Sequence, residues 1–440
     1  MERNALNSLK QWKTKPDRKP LIIRGARQVG KTWLMKEFGR TCYEQTVYVN
    51  LDTDNIAKSL FAQDLDVHRI IRGLEIAHNT KIIPEQTLII LDEIQEAPQA
   101  LTALKYFYEQ LPQYHIITAG SLLGVSLHEA NSFPVGKIDF MSLYPLTFQE
   151  FLRASGKNNL LELIETKDFT MIKIFRNEFI ETLRQYYYVG GMPEAVTSFI
   201  TNSDYNEVRY IQKNILMAYE MDFSKHVPYR EIPRLRMLWK SIPIQLAKEN
   251  KKFMYNQVKE GSRAKEYENA LLWLSDCGLI RKVSRISKPS MPLSAYEDLK
   301  SFKVYLLDVG FFCALSEIPA KTLIEGNRIF TEFKGALTEQ FVCQQLTASE
   351  IPLFYWSRER GDAEVDFVIQ TDDKVLPVEV KAERNLQAKS LKVYYNKYNP
   401  DFAIRVSMAD YERQNWLINI PLYAVGFLGG LLYPGRRPYN

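Results

Sequence analysis

The chain has 440 residues, of which 46% are hydrophobic and 25% charged, and lysine plus arginine exceed aspartate plus glutamate by only five. These proportions exclude disordered, collagenous and mucin-like chains, and the length is too great for one hydrophobic core. The four cysteines, Cys42, Cys277, Cys313 and Cys343, are scattered and form no CxxC pair, so neither a disulfide framework nor a zinc site is expected. The N-terminal stretch MERNALNSLKQWKTKPDRKP is charged and has no apolar signal core, so a cytoplasmic location is expected.

From Leu21 to about Leu123, short apolar strands alternate with helical stretches. LIIRG (21–25), TVYVNLD (46–52), TLIILDE (87–93) and HIITAGS (115–121) are rich in β-branched residues, and TWLMKEFGR and ALTALKYFYEQL separate them. Continuous apolar strands divided by helices predict a parallel sheet covered on both faces. SLYPLTFQEFL (142–152) closes this region, and a helical tract runs on to about Val227, broken by Gly190, Gly191 and Pro193. Short helices follow from Ile232, ending in RAKEYENALLWLSDCGLI, and then a basic ribbon, LIRKVSRIS (279–287). Helices followed by a ribbon predict a winged helix-turn-helix. A second α/β unit follows, with FKVYLLDVGFF (302–312), a helix over 334–346, strands EVDFVIQ and VLPVEVK, a helix near 387–397, and a strand DFAIRVS. Trp416–Gly435 carries no charge and is as long as a membrane span, but Pro421, Gly426, Gly429, Gly430 and Pro434 interrupt it. A strand pair, with no membrane partner, is expected there.

Gly25-Ala26-Arg27-Gln28-Val29-Gly30-Lys31-Thr32 matches GxxxxGK[ST] between a strand and a helix. In such a loop the backbone N–H groups cradle phosphates, Lys31 reaches the β- and γ-phosphates, and Thr32 ligates Mg²⁺. The LIILDE strand ends in the complementary acids: Asp92 to hold Mg²⁺, and Glu93 to orient or deprotonate water. Ser121, at the end of HIITAGS, is placed either to sense the γ-phosphate or to cap the following turn. The loop, the LDE and AGS strand ends, YPLTFQEFL and YVGGMPEAV together resemble a bacterial and archaeal family of AAA-type ATPases with an uncharacterised C-terminal region. The resemblance runs over nearly the whole chain and implies ATP and Mg²⁺ as cofactors, ATP hydrolysis and a homo-oligomer. Where such proteins often carry a Gly-Arg pair, a candidate trans-acting arginine, this chain has Gly136-Lys137. Lys137 offers charge without the bidentate fork, or is plain surface charge.

Between Lys225 and Lys303 stand 17 lysines and arginines against 8 acids, a net of +9 in a chain that totals +5. Arg263 and Lys265 open the expected recognition helix, and Arg281, Lys282, Arg285 and Lys288 fall on the ribbon. This stretch is expected either to contact double-stranded DNA through its phosphates or to be a solvated face for protein contacts.

Downstream, Asp366 lies in EVDFVIQ, and Glu379 and Lys381 share one face of VLPVEVK. Glu339 lies on GALTEQFVCQQL, on the helical face of Val342, Cys343 and Leu346, and so is expected to point inward. A helical Glu, then Asp, then Glu-x-Lys resembles the core of the PD-(D/E)xK nuclease superfamily. That resemblance implies a metal held by Asp366, Glu379 and Glu339, with Lys381 orienting or activating water. The other reading is a non-catalytic platform for binding or dimerisation.

The expected fold is therefore α/β and multidomain. It comprises an AAA-type P-loop domain with a parallel sheet (1–153), a helical lid or linker (154–230), a winged helix (231–300) and a nuclease-like α/β domain (301–440). The two functional readings are an ATP-dependent, DNA-associated enzyme with nucleolytic output, and an ATP-switched regulatory protein whose nuclease-like domain only binds partners.

Overall fold

A computed structural model describes residues 1–120, 134–248, 251–325, 331–359, 361–383 and 388–432. Met1–Tyr144 with Asp276–Gly278 make one compact unit; Pro145–Ser275 and the described residues from Leu279 to Leu432 make the other.

The first unit runs α1 (Ala5–Thr14), β1 (Leu21–Arg24), α2 (Lys31–Cys42), β2 (Gln45–Asn50), α3 (Asn55–Gln63), α4 (Val67–His78), β3 (Thr87–Asp92), α5 (Pro98–Gln110), β4 (His115–Ala119) and β5 (Asp139–Ser142). Its five strands are all parallel, in the order β2-β3-β4-β1-β5. The four strands read from sequence are present; α1 and β5 add to them. One face buries Ile22, Val49, Ile89, Leu91 and Ile116 against Phe61, Ile70, Leu74, Leu104 and Phe107 of α3, α4 and α5. The intervening Ile23, Ile90 and Ile117 are equally buried, as alternation requires of a sheet covered on both sides. Short acids start the helices: Asp54 accepts from the N–H of Ala57, and Asp66 from those of His68 and Arg69.

The second unit opens with helices α6 (Phe148–Ala154), α7 (Asn158–Glu165), α8 (Phe169–Ile174), α9 (Arg176–Val189), α10 (Pro193–Asn202), α11 (Tyr205–His226), α12 (Ile232–Leu246) and α13 (Ala264–Asp276). Thr147 and Glu150 start α6 with a reciprocal capping box. Gly190 and Gly191 end α9, as the sequence suggests, for two reasons. Gly190 has φ +74°, and a Cβ on Gly191 would lie 2.1 Å from the Leu146 carbonyl oxygen. Asp308 locks this turn, accepting from Gly191 N at 2.6 Å and from Gln344 Nε2 at 3.0 Å.

Then come β6 (Ile280–Ile286), β7 (Glu297–Leu306), α14 (Val309–Leu315), α15 (Ala320–Glu325), α16 (Thr331–Ala348), β8 (Phe354–Ser357), β9 (Glu364–Gln370), β10 (Val375–Val380), α17 (Lys389–Tyr398), β11 (Ala403–Ser407), β12 (Glu412–Arg413), β13 (Leu417–Pro421) and α18 (Leu428–Leu432). All eight strands join one sheet, ordered β12-β13-β11-β10-β9-β8-β6-β7. The ribbon expected as a wing, β6–β7, is one end of that sheet, because β6 pairs parallel with β8 through Ser284, Arg285 and Ile286. The strand pair expected in the uncharged tail is also different. Among the described residues of that tail only β13 is extended; it pairs back to β12, and Leu422–Phe427 coils into a 3₁₀ turn before α18. Leu422 to Val425 are all buried, a pattern that suits a covered helical turn better than an alternating strand. Among the described residues no helix is long and apolar enough to cross a membrane.

Candidate functional site: a glycine loop and a lysine–carboxylate cluster

The segment 25–30 leaves β1 and turns sharply into α2. Gly25 has φ +147°, and a Cβ there would sit 2.3 Å from the Leu143 carbonyl oxygen; Gly30 has φ +95°. The two glycines are therefore steric requirements of the turn. Ala26 and Val29 are buried beneath it, while Arg27 and Gln28 fill its outer curve, Gln28 at φ +63°. Arg3 of the preceding segment ties the loop down, donating to the Val29 carbonyl at 3.0 Å and the Tyr144 carbonyl at 2.6 Å. The first N–H groups of α2 have no carbonyl partner within the helix and face this turn, which makes it an anion cradle. Lys31, only 8% exposed, curls into the loop and donates to the carbonyls of Gly25 (2.8 Å) and Ala26 (2.7 Å). Burial brings its ammonium down to about 8, although Glu93 and Asp92 pull the other way.

Asp92 ends β3, every residue of which is buried. Its Oδ2 accepts from Thr32 Oγ1 at 2.7 Å and Tyr48 Oη at 3.0 Å, and its Oδ1 from Glu93 N at 3.1 Å. Burial, and next the Asp92 charge, raise the Tyr48 hydroxyl to about 12. Glu93 adopts φ +52°, and its Oε2 accepts from Gln95 Nε2 at 2.5 Å. Thr32 and Asp92, residues of two different elements, thus present oxygens to one point beside the loop, which fits Mg²⁺. The ion would supply neutralisation of phosphate charge there. Strand order places β4 between β1 and β3, so the C-terminal end of β4 at Ala119 lies between the ends of β1 and β3. Ser121 lies outside the described residues. Lys137 is engaged within its own unit, 3.1 Å from Glu109 and over the Tyr108 ring. Tyr48, Gln95 and Arg3 escape sequence reasoning, since no motif marks them.

In the second unit the structure gathers Glu339, Asp366, Glu379 and Lys381, and adds four residues that the sequence does not flag. Lys303, on β7 and 0% exposed, donates to Glu339 Oε1 at 3.0 Å, lies 2.6 Å from Glu364 Oε1 and 4.0 Å from Asp366 Oδ1. Tyr305 also donates to Glu339 Oε1, and Lys251 donates to Glu339 Oε2. Asp366 Oδ2 accepts from Val380 N at 2.7 Å, which holds β9 and β10 together at the site. Lys381 lies 2.7 Å from Glu379 Oε1, while Glu379 Oε2 is buried without a hydrogen-bond partner. Burial, then Glu339 and Glu379, push Asp366 up to about 8. Burial opposes the charge of Lys303, but Glu339, Glu364 and Asp366 outweigh it and hold the ammonium well above the ordinary lysine value. The inward position of Glu339, 1% exposed, agrees with the helical spacing. Its partners, however, are two ammonium groups and a phenol. Among the described residues no group of three or more His, Cys, Asp or Glu side chains is arranged to hold a metal ion.

Two of the 17 basic residues in the 225–303 stretch, Lys251 and Lys303, are therefore paired internally, with carboxylates that lie outside it. Of the ribbon residues, Arg281 and Lys288 are exposed, Lys282 covers the Phe302 ring, and Arg285 lies 3.8 Å from Asp298 and 3.9 Å from Glu359. Arg263 and Lys265 are exposed at the start of α13.

Residues 17–152 match the AAA domain family, 180–322 a domain of unknown function (DUF8612), and 334–424 another (DUF4143). No curated protein matches the chain. Among solved structures, the Walker-type ATPase PABY2304 of Pyrococcus abyssi is similar at 14% identity and a TM-score of 0.46, over 72% of this chain and 95% of that one. The Aeropyrum pernix ORC1 protein in complex with DNA is similar at 13% identity and a TM-score of 0.26, over 72% and 91%. Drosophila ORC bound to DNA is similar at 13% identity and a TM-score of 0.25, over 71% and 94%. Residues 17–152 are thus similar to the AAA domain family.

Proposed function

We propose that the chain is a Mg²⁺-dependent ATPase that associates with double-stranded DNA. The observation that carries the ATPase reading is the 2.7 Å bond from Thr32 to Asp92, which joins the glycine loop to the acid strand. With Lys31 inside the loop and Glu93 next to Asp92, every role in hydrolysis has a residue. Lys31 serves the phosphates, Thr32 and Asp92 the ion, and Glu93 the attacking water. Exposed Arg263, Lys265, Arg281 and Lys288 support a sequence-independent contact with duplex phosphates.

The test is ATP turnover by the purified protein with and without duplex DNA. Lys31→Ala loses nucleotide binding, because the charge inside the loop is gone. Glu93→Gln keeps binding and loses about 10²-fold or more in turnover. Wild-type turnover by Glu93→Gln would remove its role with water, and turnover indifferent to DNA would favour a nucleotide switch.

For the C-terminal unit a specific observation favours the second reading, a non-catalytic binding platform. Glu339, assigned as a metal ligand by its resemblance to nuclease sites, is held by Lys303, Lys251 and Tyr305. DNA integrity in the same assay, with Mg²⁺ or Mn²⁺ present, decides between platform and nuclease. Metal-dependent nicking lost in Asp366→Ala and Lys381→Ala would establish a nuclease.

A further inference from the structure

Three carboxylate oxygens, Glu339 Oε1, Glu364 Oε1 and Asp366 Oδ1, surround one point in the second unit, and Lys303 Nζ occupies it at 3.0, 2.6 and 4.0 Å. These carboxylates come from a helix and a strand distant in sequence, and like charges so gathered require a cation or protons between them. The lysine that fills the place is fully buried and reaches it from a third element, β7. Lys251 and Tyr305 complete the coordination of Glu339, so neither of its oxygens is left to an outside ion. Four carboxylates, counting Glu379, face three ammonium groups, counting Lys381. Glu379 Oε2 is buried and unpartnered among the described residues, while Glu364 and Asp366 keep part of their side chains exposed.

We infer that the Lys303 ammonium is the resident cation of this cluster, standing where a divalent ion would otherwise bridge Glu339, Glu364 and Asp366. Glu339 is thus a holder of lysines and not a metal ligand, and the cluster keeps its geometry without metal. A methionine at 303 would fill the same space without charge. It would leave three carboxylates, Glu339 buried and Glu364 and Asp366 partly buried, around a point that a small divalent cation can occupy, since oxygen ligands are what such ions select. The inference deepens the platform reading of the C-terminal unit but is tested apart from it. Its readout is metal binding without nucleotide, whereas that reading stands or falls on DNA cleavage.

The experiment titrates Mn²⁺ into the full-length protein, followed by the electron paramagnetic resonance of free Mn²⁺ and by calorimetry. In the wild-type background, Glu339→Gln leaves Mn²⁺ binding unchanged, and so does Lys303→Arg, which keeps the charge. Lys303→Met binds one further Mn²⁺ ion, which the wild-type chain does not bind. Adding Glu364→Gln abolishes that gain. If Lys303→Met is too unstable to titrate, the same expectation is read as a rise in Tm with Mn²⁺, present in Lys303→Met and absent in wild type. Loss of a Mn²⁺ ion from the wild-type chain on Glu339→Gln would overturn the inference. So would a Lys303→Met protein that gains neither an ion nor Mn²⁺-dependent stability.

Discussion

The two clusters of charge solve one physical problem in opposite ways. At the glycine loop the buried acid, Asp92, accepts among the described residues only from neutral donors, the hydroxyls of Thr32 and Tyr48 and the N–H of Glu93. Its negative charge is left for a cation that comes from outside, and Lys31 directs its own charge to two carbonyls. In the C-terminal unit the carboxylates are met by lysines of the same chain, Lys251, Lys303 and Lys381. The first arrangement is open to a ligand, whereas the second is largely neutralised by the chain itself and is expected to carry more of the fold's stability.

The sharpest way to break that contrast is to remove one buried lysine from each. Lys303→Met removes one of the two ammonium groups at Glu339 and the one at Glu364, and it should lower stability by about 3–5 kcal/mol, the usual effect of breaking a buried pair by removing one partner. Lys31→Met leaves only carbonyl groups without a donor, so its effect should be smaller, about 1–3 kcal/mol, while nucleotide binding disappears. Urea unfolding of both variants without metal or nucleotide reads the difference. Equal destabilisation would mean that the loop lysine is as structural as the buried one.

The same contrast governs how much the sequence reveals. The loop site is a contiguous octapeptide plus a strand end, and both its geometry and its residue types follow from spacing alone. What sequence cannot supply there is Tyr48, which reaches Asp92 from a neighbouring strand because β2 and β3 pair in register. The C-terminal cluster is assembled from Lys251, Lys303, Glu339, Glu364, Asp366 and Glu379, and only the hairpin and the inward helix face are local. Lys303 sits in a run that reads as a plain apolar strand with one charge, so nothing in the chain announces that this charge is buried. The ribbon misleads for a related reason. Its basic, β-branched pattern suits a wing equally well, and its pairing with β8, about 70 residues on, is a long-range fact.

The basic residues of the ribbon sharpen the comparison from a third side, because Arg281 is exposed, Lys282 lies over the Phe302 ring, and Arg285 is partly matched by Asp298 and Glu359. Changing Arg281, Lys282 and Arg285 together to Glu should weaken duplex binding and lower the steepness of log K against log salt by about 2 to 3, as expected for the loss of three phosphate contacts. Arg285, shared with Asp298 and Glu359, should contribute least when changed singly. An unchanged affinity in the triple variant would take the ribbon out of the interface and assign this face to protein contacts.

The smallest effect is a dependence on pH that only the loop site should show. Burial sets the Lys31 ammonium at about 8 in the free protein, below the ordinary lysine value. A bound polyphosphate brings negative charge to that ammonium and raises its proton affinity, so above about pH 8 binding must take a proton back from solution. The sign is therefore fixed: nucleotide affinity is level below about 8 and falls above it, by at most about tenfold per pH unit for a single group. Lys31→Arg keeps its charge throughout this range and should flatten the profile, even if its bulk weakens binding at every pH. Fluorescent-nucleotide titrations of both proteins between about pH 7 and 9 measure the slope, with Mg²⁺ held constant. A wild-type profile as flat as that of Lys31→Arg would show that the buried lysine keeps its proton in the free loop, and that the carbonyls of Gly25 and Ala26 stabilise its charge more than burial opposes it.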